Sequence, residues 1–130
     1  MIFVDTSFLL AVLNPRDTLY LCAQTWAALI AEPLLVTEYV VWEMVNSLSL
    51  PVDRPKAHLA VQEIQTASDW EWVPASNPLF IAGMQLHRER GDKSWSLTDC
   101  ISFQVMCSSA ISAVRSPTII ISNRRAMKRC

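Results

Sequence analysis

The sequence has only two glycines in 130 residues, and only two histidines. A phosphate-cradling loop needs several glycines at fixed spacing, so no nucleotide-binding loop of that kind is present. His58 and His87 both fall in amphipathic segments, where we expect exposed side chains, and no Ser/His/Asp or Cys/His relay can be assembled. These absences disfavour a small-molecule α/β enzyme built on either device.

The four cysteines also lack the spacing of a metal or disulfide scaffold. Cys22, Cys100, Cys107 and Cys130 form no CxxC pair and have no histidine at ligand spacing. Neither a zinc knuckle nor a disulfide framework is therefore indicated, and we expect isolated buried thiols.

Long apolar runs are missing as well. Uncharged stretches such as Thr18 to Ala31 and Cys100 to Val114 hold 14 and 15 residues, short of the roughly 20 that span a bilayer. The first residues, MIFVD, have no basic stretch or long apolar region, so we expect no signal peptide. We therefore expect no membrane span and a cytoplasmic protein.

The composition is that of one compact domain. Apolar residues make up 52% and charged residues 18% of the chain, which excludes a disordered protein. The net charge of −1 argues against a generally basic nucleic-acid binder. That value is an average, because residues 1–114 carry six Lys or Arg against twelve Asp or Glu, whereas residues 115–130 carry five basic residues and no acid.

Short apolar runs alternate with amphipathic segments along the chain. The runs predict strands at Met1–Val4, Leu34–Val36, Trp70–Val73 and Thr118–Ile121. The segments between them predict helices at about 8–13, 17–31, 38–50, 53–68, 77–90 and 97–109. This alternation is typical of an α/β domain with a parallel sheet.

Three carboxylates stand where chemistry is expected in such a fold. Asp5 follows the first strand, Glu43 lies in the helix after the second, and Asp99 opens a late helix. Ligands of parallel sheets gather at the carboxyl ends of strands. If the three converge, they form an oxygen-only cluster suited to Mg²⁺ or Mn²⁺, and a metal there favours phosphodiester hydrolysis.

Each carboxylate also has a structural interpretation. Asp5 precedes Thr6 and Ser7 and can simply cap a helix, and Ser96 to Asp99 has the spacing of a capping box. Glu43 differs because it lies in the apolar segment WEMVN, where an unpaired carboxylate is costly. Asp92 and Lys93 are most simply an exposed loop pair.

At these residues the sequence resembles the VapC-like toxin group of the PIN-domain family. The similar segments are IFVDTSFLLAVLNPRD, VTEYVVWEMVNSLS and GDKSWSLTDCISFQVM, ending at about Met106. The resemblance implies a Rossmann-like α/β/α sandwich with four to five short strands in a mostly parallel sheet. It further implies a ribonuclease that uses Mg²⁺ or Mn²⁺, forms a homodimer and binds a cognate antitoxin.

Carried over residue by residue, the resemblance assigns the metal and catalytic acids to Asp5, Glu43 and Asp99. It gives supporting roles to Thr6, Ser7, Asn46 and Asp92. By the same analogy, the apolar helices between Asp17 and Leu50 supply dimer and antitoxin surfaces.

The family pattern stops after about Met106, so residues 107–130 form a divergent basic tail on a single domain of residues 1–130. Members of the group end in a motif similar to ALTxDxHFEQAGF, which contains a fourth acid, whereas VRSPTIIISNRRAMKRC has none. Permitted codons for Val114 to Arg129, shifted by one nucleotide, encode ALTDDHHFEQAGYEAL. We infer a single-nucleotide insertion or deletion near Met106 to Ser112. Loss of the fourth acid keeps an alternative open, a binding module that holds RNA or an antitoxin without cleavage.

Overall fold

The computed structural model describes residues 1–112 and 119–121, so most of the basic tail lies outside the described residues. The strands are β1 (Ile2–Val4), β2 (Leu34–Thr37), β3 (Trp70–Val73) and β4 (Ile119–Ile121). The helices are α1 (Thr6–Leu13), α2 (Tyr20–Leu29), α3 (Glu38–Ser47), α4 (Arg54–Thr66), α5 (Asn77–Glu89) and α6 (Leu97–Ser112).

The four strands form one parallel sheet in the order β3-β2-β1-β4. Phe3 of β1 pairs with Leu35 on one side and with Ile120 on the other. The side chains of β1 are buried without alternation, as expected for a central parallel strand. The structure thus confirms the predicted α/β fold and its four strands.

The strand order places a switch point beside β1. From β1 the chain moves to β2 and β3 on one side, whereas β4 pairs on the opposite side. In open parallel sheets, a crevice forms outside the carboxyl ends of the strands at such a reversal. Asp5 follows β1 directly, and β4 ends with Ile121 alongside Val4, so this crevice begins at Asp5.

Polar residues begin four helices. Asp5 caps α1, Thr37 caps α3 and Ser76 caps α5, each accepting a backbone N–H three residues on. At α6, Asp99 N donates to Ser96 Oγ at 3.1 Å and Ser96 N donates to Asp99 Oδ2 at 2.9 Å. This reciprocal pair is the capping box expected from the sequence.

Helices α2, α3 and α4 are each several residues shorter than predicted. Helix α2 starts at Tyr20 rather than Asp17, because the Asp17 carboxylate accepts the Leu19 N–H at 2.9 Å and holds a turn there. Helix α3 ends at Ser47 rather than near Leu50. Leu48 closes it through its backbone N–H, which bonds to the carbonyls of Met44 and Val45.

Helices α5 and α6 meet at Gly83. The glycine is buried, and a Cβ at this position would overlap the side chain of Ile101. Ile101 is buried two residues after Asp99 on α6. Because Gly83 has no side chain, α6, the helix that carries Asp99, packs closely against α5 at this point.

The cysteines match the expectation of isolated buried thiols only in part. Cys100 is free and buried, whereas Cys107 is free and exposed. Cys22 is disulfide-bonded, so the expectation is wrong at this residue, and Cys130 lies outside the described residues. None of the helices in the described ranges is long and apolar enough to cross a membrane.

Candidate metal centre

Asp5 is half-buried at the carboxyl end of β1. Its Oδ1 accepts the Phe8 N–H at 3.1 Å, which completes the first turn of α1. The structural interpretation of Asp5 as a cap is therefore correct. A catalytic or metal-binding role of Asp5 would use the same carboxylate.

The Glu43 side chain extends from helix α3 to the N-terminal end of α1, which follows Asp5. Its Oε2 accepts a hydrogen bond from the Thr6 hydroxyl at 2.7 Å, and Thr6 is the residue next to Asp5. The pairing supplies the partner that an acid among apolar residues requires. The other oxygen, Oε1, accepts no hydrogen bond from the described residues.

Asp99 lies in the first turn of α6 and is exposed. Oδ2 is held by the capping box, and Oδ1 accepts no hydrogen bond from the residues described. The carboxylate is thus fixed at one oxygen and open at the other.

The three acids are close enough to interact electrostatically at Asp5. Burial raises the pKa of Asp5 from 3.8 to about 6, and the negative charges of Asp99 and Glu43 add to the increase against opposing backbone hydrogen bonds from Phe8 and Ser7. Asp5 therefore experiences the negative charge of two acids, which no basic side chain within residues 1–112 and 119–121 offsets. Within residues 1–112 and 119–121, however, no three His, Cys, Asp or Glu side chains already stand at metal-binding distance.

The supporting residues divide into those that touch the acids and those that do not. Thr6 contacts Glu43 directly, whereas Ser7 reaches Asp5 only through its backbone N–H. Asn46 is exposed and lines a groove between α3 and α4 with Trp42, His58 and other residues. It forms no hydrogen bond to Asp5, Glu43 or Asp99 in the part of the chain that the structure describes.

Asp92 pairs with two basic side chains of its own loop, Arg90 and Lys93. It accepts two hydrogen bonds from Arg90, at 2.9 and 3.1 Å, and lies 3.4 Å from the Lys93 ammonium. Hydrogen bonding from Arg90 lowers the pKa of Asp92. The expected Asp92–Lys93 loop pair is present, but the contact with Arg90 was not anticipated, although an Arg two residues from an Asp in a turn is a usable signal.

Comparison with known proteins agrees with this fold. A family model described as the PIN domain matches residues 2–117. The structure resembles Mycobacterium tuberculosis VapC20, described as a toxin that cleaves the sarcin–ricin loop, with a TM-score of 0.76 and 23% identity over 85% of this chain and 84% of that one. It also resembles FitAcB from Neisseria gonorrhoeae, with a TM-score of 0.56 and 16% identity over 85% and 83%.

No curated protein sequence matches the chain. Identities below 25% make the two structural similarities evidence for the fold alone. The family model is independent of them and spans most of the sequence, including Asp5, Glu43 and Asp99. The chain therefore belongs to the PIN-domain family, a family of nucleases.

Proposed function

We propose that this chain is a metal-dependent endoribonuclease of the VapC-like toxin type, which hydrolyses RNA phosphodiester bonds. The observation that supports this most is the electrostatic coupling of Asp5 to Asp99 and Glu43, three acids from separate segments, at the carboxyl end of β1. Three acids around a sheet crevice have no structural need for one another, because each already accepts a hydrogen bond from another residue.

The donor set fits Mg²⁺ or Mn²⁺. All candidate ligands are carboxylate oxygens, which these hard cations prefer. Burial is the main cause of the raised pKa of Asp5, and the negative charges of Asp99 and Glu43 add to it. A divalent cation would offset the charge of these carboxylates. Mg²⁺ commonly keeps several waters and uses one or two carboxylates, so three protein ligands at direct distance are not required.

Asp5 and Asp99 would hold the cation, which when bound supplies positive charge to the phosphate and lowers the pKa of nearby water. Glu43 would orient the attacking water or accept its proton through Oε1, because Oε2 is engaged by Thr6. The Thr6 hydroxyl would keep Glu43 in that orientation during the reaction.

The resemblance of the sequence segments to VapC-like toxins extends the proposal to the substrate, the partners and the location. RNA is the substrate, a cognate antitoxin protein and a second copy of the chain are the partners, and the cytoplasm is where the protein meets them. The apolar side chains exposed on α2, Leu21 and Leu29, are consistent with a surface covered by such a partner.

RNA cleavage with Mg²⁺, with EDTA, and with Asp5→Asn tests the proposal. We expect cleavage by the wild-type chain with Mg²⁺ only, and a loss of at least about 100-fold in Asp5→Asn. Asp69→Asn is a matched control, because Asp69 is an exposed acid before β3, at the opposite end of the strands. Cleavage that persists in Asp5→Asn would remove the metal-carboxylate mechanism.

A second candidate function is a PIN-fold module that binds RNA or an antitoxin without cleavage. It is favoured by the sequence after Asp99, which contains no Asp or Glu up to Cys130. Calorimetric titration with Mg²⁺ separates the candidates. A working site binds the ion in about the millimolar range expected of a sparse carboxylate site, whereas a module that has lost the site shows no heat of binding.

A further inference from the structure

The loop that leads into α6 holds a guanidinium in a fixed position. Arg90 donates from Nε and Nη2 to the two oxygens of Asp92, at 2.9 and 3.1 Å. Its Cζ lies over the Trp95 ring, 5.1 Å from the centroid. We call residues 90–95 the cationic loop.

The fixed guanidinium keeps hydrogen-bonding capacity. Guanidinium has five N–H donors, and Asp92 takes one from Nε and one from Nη2. The edge formed by Nη1 and the second Nη2 proton is left for another acceptor. A carboxylate on one edge and an indole on one face hold the group in place, so its open edge matches the bidentate geometry of phosphate without further ordering.

The cationic loop is tied to the helix turn that carries Asp99. The Trp95 ring packs edge-to-face on Phe103 at 4.8 Å, and Phe103 is four residues from Asp99, hence one turn along the same face of α6. Ser96, which follows Trp95 in the chain, forms both capping-box hydrogen bonds with Asp99. The cationic loop is therefore joined, through Trp95 and Ser96, to the helix turn that carries one of the three acids of the candidate metal centre.

Charge makes this location unusual in the molecule. Residues 1–112 contain twelve acids and six Lys or Arg, and three of those six fall within residues 88–93. A largely acidic body repels a polyanion. The cationic loop holds two cations against one carboxylate, so it offers phosphate attraction next to the acids that would otherwise repel the substrate.

We propose that Arg90 and Lys93 bind backbone phosphates of the RNA chain next to the bond that is cleaved, with Asp92 and Trp95 as positioning residues for Arg90. This rests on the proposed function for the identity of the polyanion. RNA binding is measurable without cleavage, so the two proposals can fail separately.

The test is fluorescence anisotropy of a 5′-fluorescein-labelled 20-nucleotide single-stranded RNA of mixed sequence, titrated with the full chain in EDTA. We expect Arg90→Gln and Lys93→Gln each to weaken binding about 3- to 10-fold. Each should also reduce the slope of log K against log salt by about 0.7, the value for one phosphate contact on a single strand. Lys56→Gln on α4 removes the same charge elsewhere and should change affinity less than twofold.

Two further readouts separate RNA contact from a structural effect. Trp95→Phe should retain affinity because an aromatic face remains under Arg90, whereas Trp95→Leu should lose as much as Arg90→Gln. In the Mg²⁺ cleavage assay, Arg90→Gln and Lys93→Gln should raise KM and leave kcat within about twofold. Wild-type affinity and salt slope in both variants, or an equal loss in Lys56→Gln, would overturn the proposal. A wild-type chain that binds RNA but does not cleave it would contradict only the proposed function.

Discussion

The Thr6 hydroxyl donates a 2.7 Å hydrogen bond to Oε2 of Glu43 across 37 positions of sequence. Thr6 is the first residue of α1, and Asp5 is the cap of that helix. One acid of the candidate centre, Asp5, and the hydrogen-bond donor to a second acid, Glu43, are therefore consecutive residues at the end of β1. The bond joins α1 to α3 and fixes one Glu43 oxygen. This arrangement makes Thr6 a positioning residue for the acid that we assign to the attacking water.

Thr6→Val tests that role. The substitution keeps the shape of the side chain but leaves Oε2 of Glu43 without its donor, and a hydrogen bond to a charged group contributes about 1.5–3 kcal/mol. If most of this loss appears in the transition state, kcat for RNA cleavage falls about 10- to 100-fold. Thr6→Ser retains the hydroxyl and should stay near wild type. Equal activity of the Val and Ser variants would show that the bond does not matter for catalysis.

The pKa of Asp5 predicts how stability depends on pH in the metal-free protein. Burial raises this pKa from 3.8 to about 6, so the folded state binds more protons than the unfolded state in that interval. The contribution of protonated Asp5 to the free energy of unfolding is fully present below about pH 4, and it is lost as the pH rises through about 6. Asp5→Asn keeps a good cap without the charge. In EDTA at pH 8 it should therefore exceed wild type by about 1–2 kcal/mol in free energy of unfolding.

Urea denaturation of both proteins at pH 4 and pH 8 measures this difference, with Asp69→Asn as the control for loss of a surface acid. At pH 4 the advantage of Asp5→Asn should shrink to a few tenths of a kcal/mol, since Asp5 is then protonated in the folded wild type. An advantage of the same size at both pH values would contradict a raised pKa at Asp5.

Gly83→Ala tests the contact between α5 and α6. The added Cβ would overlap Ile101, and overpacking of this kind costs about 1–3 kcal/mol of stability. Gly91→Ala is a matched control, because its Cβ would meet only the Arg88 carbonyl oxygen, at 4.0 Å. Thermal unfolding should show a lower Tm for Gly83→Ala than for Gly91→Ala. Equal Tm values would mean that the helices separate without cost.

The inferred change of reading frame is tested at the gene. We expect the codons of Val114 to Ile121, read one nucleotide out of frame, to encode ALTDDHHF, and codons incompatible with that segment would exclude the inference. Replacing residues 114–129 by ALTDDHHFEQAGYEAL supplies four acids in a segment that now has none. This chain should bind Mg²⁺ at least about tenfold more tightly than the present one by calorimetry, because a further carboxylate raises cation affinity.

Local sequence signals were sufficient for most of the fold. The predicted helix starts at residues 38, 77 and 97 agree with those of α3, α5 and α6. The caps at these starts, Thr37, Ser76 and the Ser96–Asp99 capping box, act through hydrogen bonds to neighbours in the chain. The strand predicted at Thr118–Ile121 is found at Ile119–Ile121. Helix ends were less predictable, as at Asp17 and Leu48, because competing turns there depend on single backbone bonds.

Apolar periodicity and local capping are properties of the amino-acid sequence, and they are enough to predict an α/β domain with acids after a buried strand and at two helices. The tertiary structure is needed to know which groups meet. It pairs Thr6 with Glu43, couples Asp5 to Asp99, and turns Asp92 away from the acids toward Arg90. Such contacts depend on strand order and helix packing, which bring together residues that no spacing in the sequence connects.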